Sequence, residues 1–86
     1  MTEPVIDGHA YKHGIEEGDI RYAWKNFIRK QYRGAPNEGQ IIAVGCDRGG
    51  NLIQMVAVEK PFGILIYHAM KPPTTSALIE LGLARR

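Results

Sequence analysis

The sequence predicts a small α+β domain with two N-terminal helices, an antiparallel sheet of three strands or slightly more, and a short C-terminal helix. Three observations predict it: apolar residues at helical spacing before residue 30, three β-rich runs between residues 40 and 70, and threonines that can cap a helix after Pro72-Pro73. The chain has 86 residues, of which 44% are hydrophobic, enough for one core and too few for two. Residues 1–86 are therefore expected to form a single domain.

The sequence signals for the two N-terminal helices differ in strength. The first is expected over residues 4–13, where Thr2 is a candidate N-cap and Gly14 ends the helix. The second is expected over residues 16–33, with acids in its first turn and bases in its last, as the helix dipole favours. Five apolar residues are predicted to form its buried face: Ile20, Ala23, Trp24, Phe27 and Ile28.

The β-rich runs are predicted to be the strands of an antiparallel meander. They cover residues 40–46, 52–59 and 64–70, and short Gly- or Pro-containing turns separate them. Both alternating faces of these strands are apolar, so the second face must be covered by a helix or by another chain. A last helix capped by Thr74 or Thr75 and running to Ala84 is one cover, and a homodimer is another.

Composition excludes several classes of protein. A single cysteine, Cys46, cannot form an internal disulfide, which predicts a reducing, cytoplasmic setting. The N-terminus lacks a signal-peptide pattern and no apolar run approaches 18 residues, so neither secretion nor a membrane partner is expected. Known nucleotide and hydrolase motifs are absent, and no acidic third ligand lies at a suitable spacing from His9 and His13. We therefore expect no cofactor and no metal.

Basic residues cluster although the net charge is only +2. Five of the eleven Lys and Arg residues fall within thirteen positions that contain no acid: Arg21, Lys25, Arg29, Lys30 and Arg33. On the predicted helix, Arg21, Lys25 and Arg29 form a row that suits the phosphates of RNA, and Tyr67 is a candidate for stacking on a base. The alternative is a solvated helix face with no ligand.

His68 interrupts an apolar strand and titrates near neutral pH. An imidazole at such a place is either hydrogen-bonded to a neighbouring element or used in binding or proton transfer. The sequence leaves both interpretations open.

Four segments resemble the BrnT-like toxins of the RelE/ParE superfamily over roughly residues 9–75. They are Lys12-His-Gly-Ile15, Asp19-Ile20 with Ala23, Gly45 with Asp47-Arg-Gly-Gly-Asn-Leu52, and Leu65-Ile-Tyr-His-Ala-Met70. The resemblance implies a RelE/BrnT-like fold and a cytoplasmic toxin that cleaves RNA until a cognate antitoxin binds it. It also implies an arginine for the RNA site at a position where this chain has Met70, with Lys71 as the nearest base.

The sequence and the resemblance together predict an RNA-binding toxin-like protein that cleaves RNA without a metal. His68 is the candidate catalytic base or acid. Arg29, Arg48 and Lys71 are candidate phosphate contacts, and Lys71 is placed with His68 in the predicted catalytic site. The alternative function is a non-catalytic interaction or dimerisation module, which the missing arginine at Met70 favours.

Overall fold

The computed structural model describes residues 3–85 as a mixed α+β protein built on one five-stranded sheet. The strands lie in the order β1-β5-β4-β3-β2, with β1 parallel to β5 and every other pair antiparallel. The elements, in chain order, are β1 (Val5–Ile6), a 3₁₀ helix (Gly8–Tyr11), α1 (Glu17–Lys25), β2 (Phe27–Tyr32), β3 (Gln40–Cys46), β4 (Leu52–Lys60), β5 (Gly63–Met70) and α2 (Thr75–Glu80).

The predicted first helix over residues 4–13 is wrong. Val5 and Ile6 instead pair with Leu65 and Ile66 as a short edge strand, which suits their β-branched side chains. Asp7 then caps the 3₁₀ helix, because its carboxylate accepts a hydrogen bond from the His9 amide at 2.8 Å. Thr2 lies outside the described residues.

The predicted second helix over residues 16–33 is also wrong in its second half. Helix α1 ends at Lys25, where the amide and side-chain nitrogens of Asn26 both donate to the Tyr22 carbonyl. The chain then continues as β2, which supplies hydrogen-bonding partners for β3. Ile20, Ala23 and Trp24 are buried as predicted. Phe27 and Ile28, predicted for the same face, are 44% and 50% exposed.

The sheet has five strands, where three or slightly more were predicted, because two segments assigned to helices form its edges. The three central strands and their antiparallel pairing agree with the prediction. Helix α1 packs on one face of β3 and β4, and Gly45 permits this approach, since a Cβ there would collide with the Ala23 carbonyl. Trp24, Ile41 and Met55 belong to the core on this face, called the α1 side below.

The opposite face, called the α2 side, is covered by α2. Ile42, Val44 and Val56 pack there against Ala77 and Leu81 of the C-terminal segment. The predicted cap at Thr74 is confirmed, because its hydroxyl accepts from the Ala77 amide, but the helix ends at Glu80 and not at Ala84 as predicted. No helix within residues 3–85 is long and apolar enough to cross a membrane.

Candidate functional site

His68 lies in β5 immediately after an irregularity in the strand pairing. Ile66 pairs with Ala57 and His68 pairs with Val56, so Tyr67 is an extra residue without a partner on β4. Such a bulge breaks the regular alternation of side chains and re-aims its neighbours. The bulge at Tyr67 therefore helps to set the direction of the His68 ring.

The His68 ring meets the ring of His13 in an edge-to-face arrangement. The ring centroids are 5.6 Å apart and the ring planes meet at 82°. His13 follows the 3₁₀ helix and precedes Gly14, whose φ of 78° permits the chain to turn there. Ala10 and Ile15 flank this turn and are both buried in the α1-side core, which anchors the segment that carries His13.

The environment of His68 is basic. Partial burial lowers the pKa of His68 below its ordinary value, and positive charge from His13, His9 and Lys12 lowers that pKa further. No carboxylate contributes to this shift in pKa. We call His9, Lys12, His13 and His68 the basic cluster. A neutral imidazole surrounded by other bases is suited to accept a proton and to receive an anionic ligand.

The basic cluster supplies imidazoles but no carboxylate. Among the described residues, no three His, Cys, Asp or Glu side chains are grouped as metal ligands would be. The chemistry available from the protein groups of the cluster is proton transfer by imidazole and neutralisation of negative charge by Lys12.

Lys71, predicted beside His68 as a catalytic residue, is bound elsewhere. Its ammonium lies 3.1 Å from Oδ2 of Asp47, a carboxylate that is only 4% exposed. Oδ1 of Asp47 also accepts the amides of Gly49 and Asn51, at 2.9 and 2.8 Å. The Asn51 amide holds the pKa of Asp47 below its usual value, with a further contribution from Lys71. Lys71 thus stabilises the β3–β4 turn.

Arg48 is part of the same turn and is also paired with acids. Its guanidinium Nε donates to Asp19 at 2.8 Å, and its Nη2 lies 3.7 Å from Glu16. The backbone amide of Arg48 donates to the same Asp19 oxygen at 3.2 Å. The structure therefore brings Arg48 and Lys71 together at the β3–β4 turn, each beside a carboxylate.

The predicted row of Arg21, Lys25 and Arg29 does not lie on one helix. Arg21, in α1, donates to Glu17 at 2.8 Å and to the Pro4 carbonyl at 2.6 Å. Lys25 is exposed at the end of α1, and Arg29 is exposed on β2. Three strand spacings, about 14 Å, separate β2 from β5 and His68.

Tyr67, the predicted stacking residue, is half-buried and packs in the α2-side core. The structure brings together one predicted site residue, His68, with three bases that were not predicted as site residues: His9, Lys12 and His13. Two signals in the sequence point to them. His9 and His13 are four positions apart, and Lys12-His13 belongs to the segment that carries the most specific part of the family resemblance.

The comparisons with known proteins identify no relative. No protein-family model matches the chain, and no curated protein or solved structure is significantly similar to it.

Proposed function

We propose that this chain is an RNA-binding, toxin-like protein of a type II toxin–antitoxin system that cleaves RNA without a metal ion. The observation that carries the proposal is the contact between His13 and His68 inside a cluster of bases. Two imidazoles beside a cation are sufficient for transesterification at a ribose phosphate. The resemblance to BrnT-like toxins supports RNA as the substrate and a cognate antitoxin as the partner.

In the proposed reaction, neutral His68 accepts the proton of a ribose 2′-hydroxyl. The 2′-oxygen then forms a bond to phosphorus while the bond from phosphorus to the 5′-oxygen breaks. Protonated His13 donates a proton to that leaving 5′-oxygen, and the products are a 2′,3′-cyclic phosphate and a free 5′-hydroxyl. Partial burial and the neighbouring positive charges lower the pKa of His68, which favours the neutral imidazole that a base requires.

Lys12 is proposed to neutralise the non-bridging oxygens of the scissile phosphate. Arg48 and Lys71, expected to do this from the sequence, already have carboxylate partners. Lys25 is exposed on α1 and is proposed to contact a flanking phosphate. The proposal places the protein in the cytoplasm, where a reducing environment keeps a free thiol such as Cys46 reduced.

The proposal is tested by incubating the purified chain with a single-stranded RNA oligonucleotide in the presence of EDTA. Mass spectrometry should detect a 2′,3′-cyclic phosphate, and a substrate with a single 2′-deoxy residue should resist cleavage at that position. His68→Gln and His13→Gln should each lower the cleavage rate by about 10²–10⁴-fold while RNA binding changes little.

Lys60→Gln is the matched control, since Lys60 is an exposed base near the β4–β5 turn and outside the basic cluster. It should retain the wild-type cleavage rate. Lys12→Gln should weaken both binding and cleavage, because it removes a charge next to the phosphate. Cleavage that survives both histidine substitutions would exclude the proposed mechanism.

The second candidate is a non-catalytic interaction module. The observation in its favour is the pairing of Lys71 with Asp47 and of Arg48 with Asp19, which leaves two predicted phosphate contacts neutralised. RNA binding that weakens with salt, together with no cyclic phosphate from any RNA tested, would select this alternative over the enzyme.

A further inference from the structure

The two edges of the sheet differ in length and in exposure. One edge is the two-residue strand β1, while the other is β2, with six residues that are all exposed. A long exposed edge strand presents unpaired backbone donors and acceptors to any extended segment nearby. Strand β2 is thus the edge at which another strand can be added.

The backbone pairing shows which groups of β2 are available. The Arg33 amide donates to the Gln40 carbonyl at 2.9 Å, so this pair points its backbone groups toward β3. Inward-pointing and outward-pointing residues alternate in an antiparallel ladder. Given the register, Lys30 and Tyr32 direct their N–H and C=O groups away from β3.

The side chains of these same two residues border an apolar pocket of about 300 Å³ on the α1 side. Trp24, Ile41 and Ile64 also line it. The Lys30 ammonium lies 5.0 Å from the centre of the Trp24 ring. A strand paired with Lys30 and Tyr32 would direct its own side chains on that face toward the pocket.

The other face of β2 carries an exposed cation. Arg29 pairs with Val44 and its guanidinium lies on the α2 side, near Gly82. Of the bases on and beside β2, Arg33 is paired with Glu80, whereas Arg29 and Lys30 make no ion pair among the described residues. The edge therefore combines an open backbone, an apolar pocket and a positive charge.

We propose that β2 accepts an extended, acidic segment of a partner protein, which adds to the sheet as a further strand. Its apolar side chains face the pocket between Trp24 and Tyr32, and an acidic side chain lies beside Arg29. This mode of recognition takes its affinity from main-chain hydrogen bonds and its specificity from alternate side chains. The inference does not depend on RNA cleavage at His68.

A second copy of this chain fits the edge less well. If two β2 strands pair antiparallel with nearly full overlap, Lys30 lies opposite Lys30 of the second copy, Arg29 lies opposite Arg29, or Arg29 lies opposite an Arg33 that Glu80 already neutralises. Like charges directly opposite each other destabilise a strand pair. An acidic segment converts the same positions into favourable pairs.

The probe for the test is a capped peptide of about eight residues that alternates valine and glutamate. Trp24 is the single tryptophan, so its fluorescence reports filling of the pocket. At a peptide concentration of about ten times Kd, hydrogen exchange of the Lys30 and Tyr32 amides should slow by about tenfold. The fluorescence change should saturate over the same concentrations.

Two control peptides separate charge from backbone pairing. A valine–lysine peptide should not bind, because its charges repel Arg29 and Lys30. A valine–glutamate peptide with methyl groups on alternate backbone nitrogens should lose binding, since it keeps every charge but not the donors. Neither control alters the protein, so both are informative whatever the stability of any variant.

A matched pair of variants tests the charge at the edge. Arg29→Glu and Lys12→Glu change the net charge equally, but only Arg29 lies on β2. Arg29→Glu should lower the affinity for the acidic peptide by about two- to fivefold, whereas Lys12→Glu should leave this affinity almost unchanged. Equal losses of peptide affinity in both variants would show that binding depends on net charge and not on the β2 edge, and would overturn the proposal.

The proposal is also overturned if the methylated peptide binds as well as the unmodified one. It is overturned if single-stranded RNA protects the Lys30 and Tyr32 amides and the acidic peptide does not, which would make β2 an RNA surface. Loss of cleavage in His68→Gln leaves peptide binding unaffected, so failure of the proposed enzyme and failure of this interface are distinguishable.

Discussion

The β3–β4 turn and the basic cluster both concentrate bases, yet only the turn supplies acids to meet them. Lys71 and Arg48 at the turn contact Asp47 and Asp19 at 3.1 and 2.8 Å. At His68, by contrast, the neighbouring charges are all basic. The difference shows that a base is available to an anionic ligand only where folding has not placed a carboxylate beside it.

This difference follows from the chemistry of the turn itself. Asp47 accepts the Gly49 and Asn51 amides, which is how aspartate closes a tight turn. The same carboxylate then faces the end of β5 and binds Lys71. The turn at the 3₁₀ helix uses Asp7 in a similar way, but Asp7 accepts only the His9 amide and no base of the cluster. The Asp47 carboxylate therefore neutralises the neighbouring Lys71, whereas the Asp7 carboxylate neutralises no base of the basic cluster.

The largest expected effect comes from Asp47→Ala. The substitution removes the acceptor of the Gly49 and Asn51 amides and of the Lys71 ammonium, and each of these three lost hydrogen bonds costs about 0.5–1.5 kcal/mol. We expect the thermal midpoint to fall by more than about 8 °C in a domain of this size, measured by circular dichroism.

Asp47→Asn is the control for that experiment, because it keeps one carbonyl acceptor for the turn while an amide nitrogen replaces the charged oxygen that accepts from Lys71. Its midpoint should lie between those of the wild type and Asp47→Ala. If both variants had the thermal midpoint of the wild type, the turn would not depend on this carboxylate. The contrast between the β3–β4 turn and the basic cluster would then not hold.

Asp7→Ala should have a smaller effect at the other turn. Asp7 supplies one capping bond, 2.8 Å long, and loss of an N-cap costs about 1 kcal/mol. Urea denaturation should show that loss, about half or less of the loss seen for Asp47→Ala. A loss as large as that of Asp47→Ala would mean that the two turns are equally dependent on their aspartates.

The central strands and the C-terminal helix could be predicted from the sequence because their local signals agree. Leu52 to Glu59 is β-rich between Gly-containing turns, and Thr74 follows two prolines. The helix predicted over residues 16–33 is wrong after Lys25 for a physical reason. Phe27 and Ile28 continue a helical spacing, but they also suit a strand, and the unpaired edge of β3 favours the strand. The periodicity of a short segment carries no information about hydrogen bonds to a strand that is distant in the sequence.

The candidate site was predictable only at His68. Its neighbours His9 and His13 come from a segment assigned to a helix, and their proximity depends on the parallel pairing of β1 with β5. A parallel pair joins segments about sixty positions apart, which no spacing rule detects. The sequence likewise gave no sign that Arg48 would meet Asp19, since this contact depends on α1 lying across the sheet.

The basic cluster also predicts how stability depends on pH. Because the folded chain holds the His68 proton more weakly than the unfolded chain does, protonation favours unfolding. The free energy of unfolding should therefore fall as pH drops below about 6.5 and continue to fall through the lower pKa of the folded state. His68→Gln should flatten this part of the profile in urea denaturation. An identical profile in the wild type and the variant would contradict the basic environment of His68.

Gly18→Ala should have the smallest effect on stability and gives the sharpest test of the comparison. A Cβ at Gly18 would lie 2.9 Å from the Arg48 guanidinium, which can move because its side chain is 54% exposed. Loss of an exposed ion pair and gain of helix propensity should nearly cancel, leaving stability within about 0.5 kcal/mol of the wild type. Displacement of Arg48 should raise the pKa of Asp19 in an NMR titration, because the Arg48 hydrogen bond is what chiefly lowers it.

If pairing with Asp19 keeps Arg48 from binding RNA, the slope of log affinity against log salt concentration should steepen by about 0.7 in Gly18→Ala, at unchanged net charge. An unchanged slope, with the Asp19 pKa raised, would show that pairing with acids is not what separates the turn from the basic cluster.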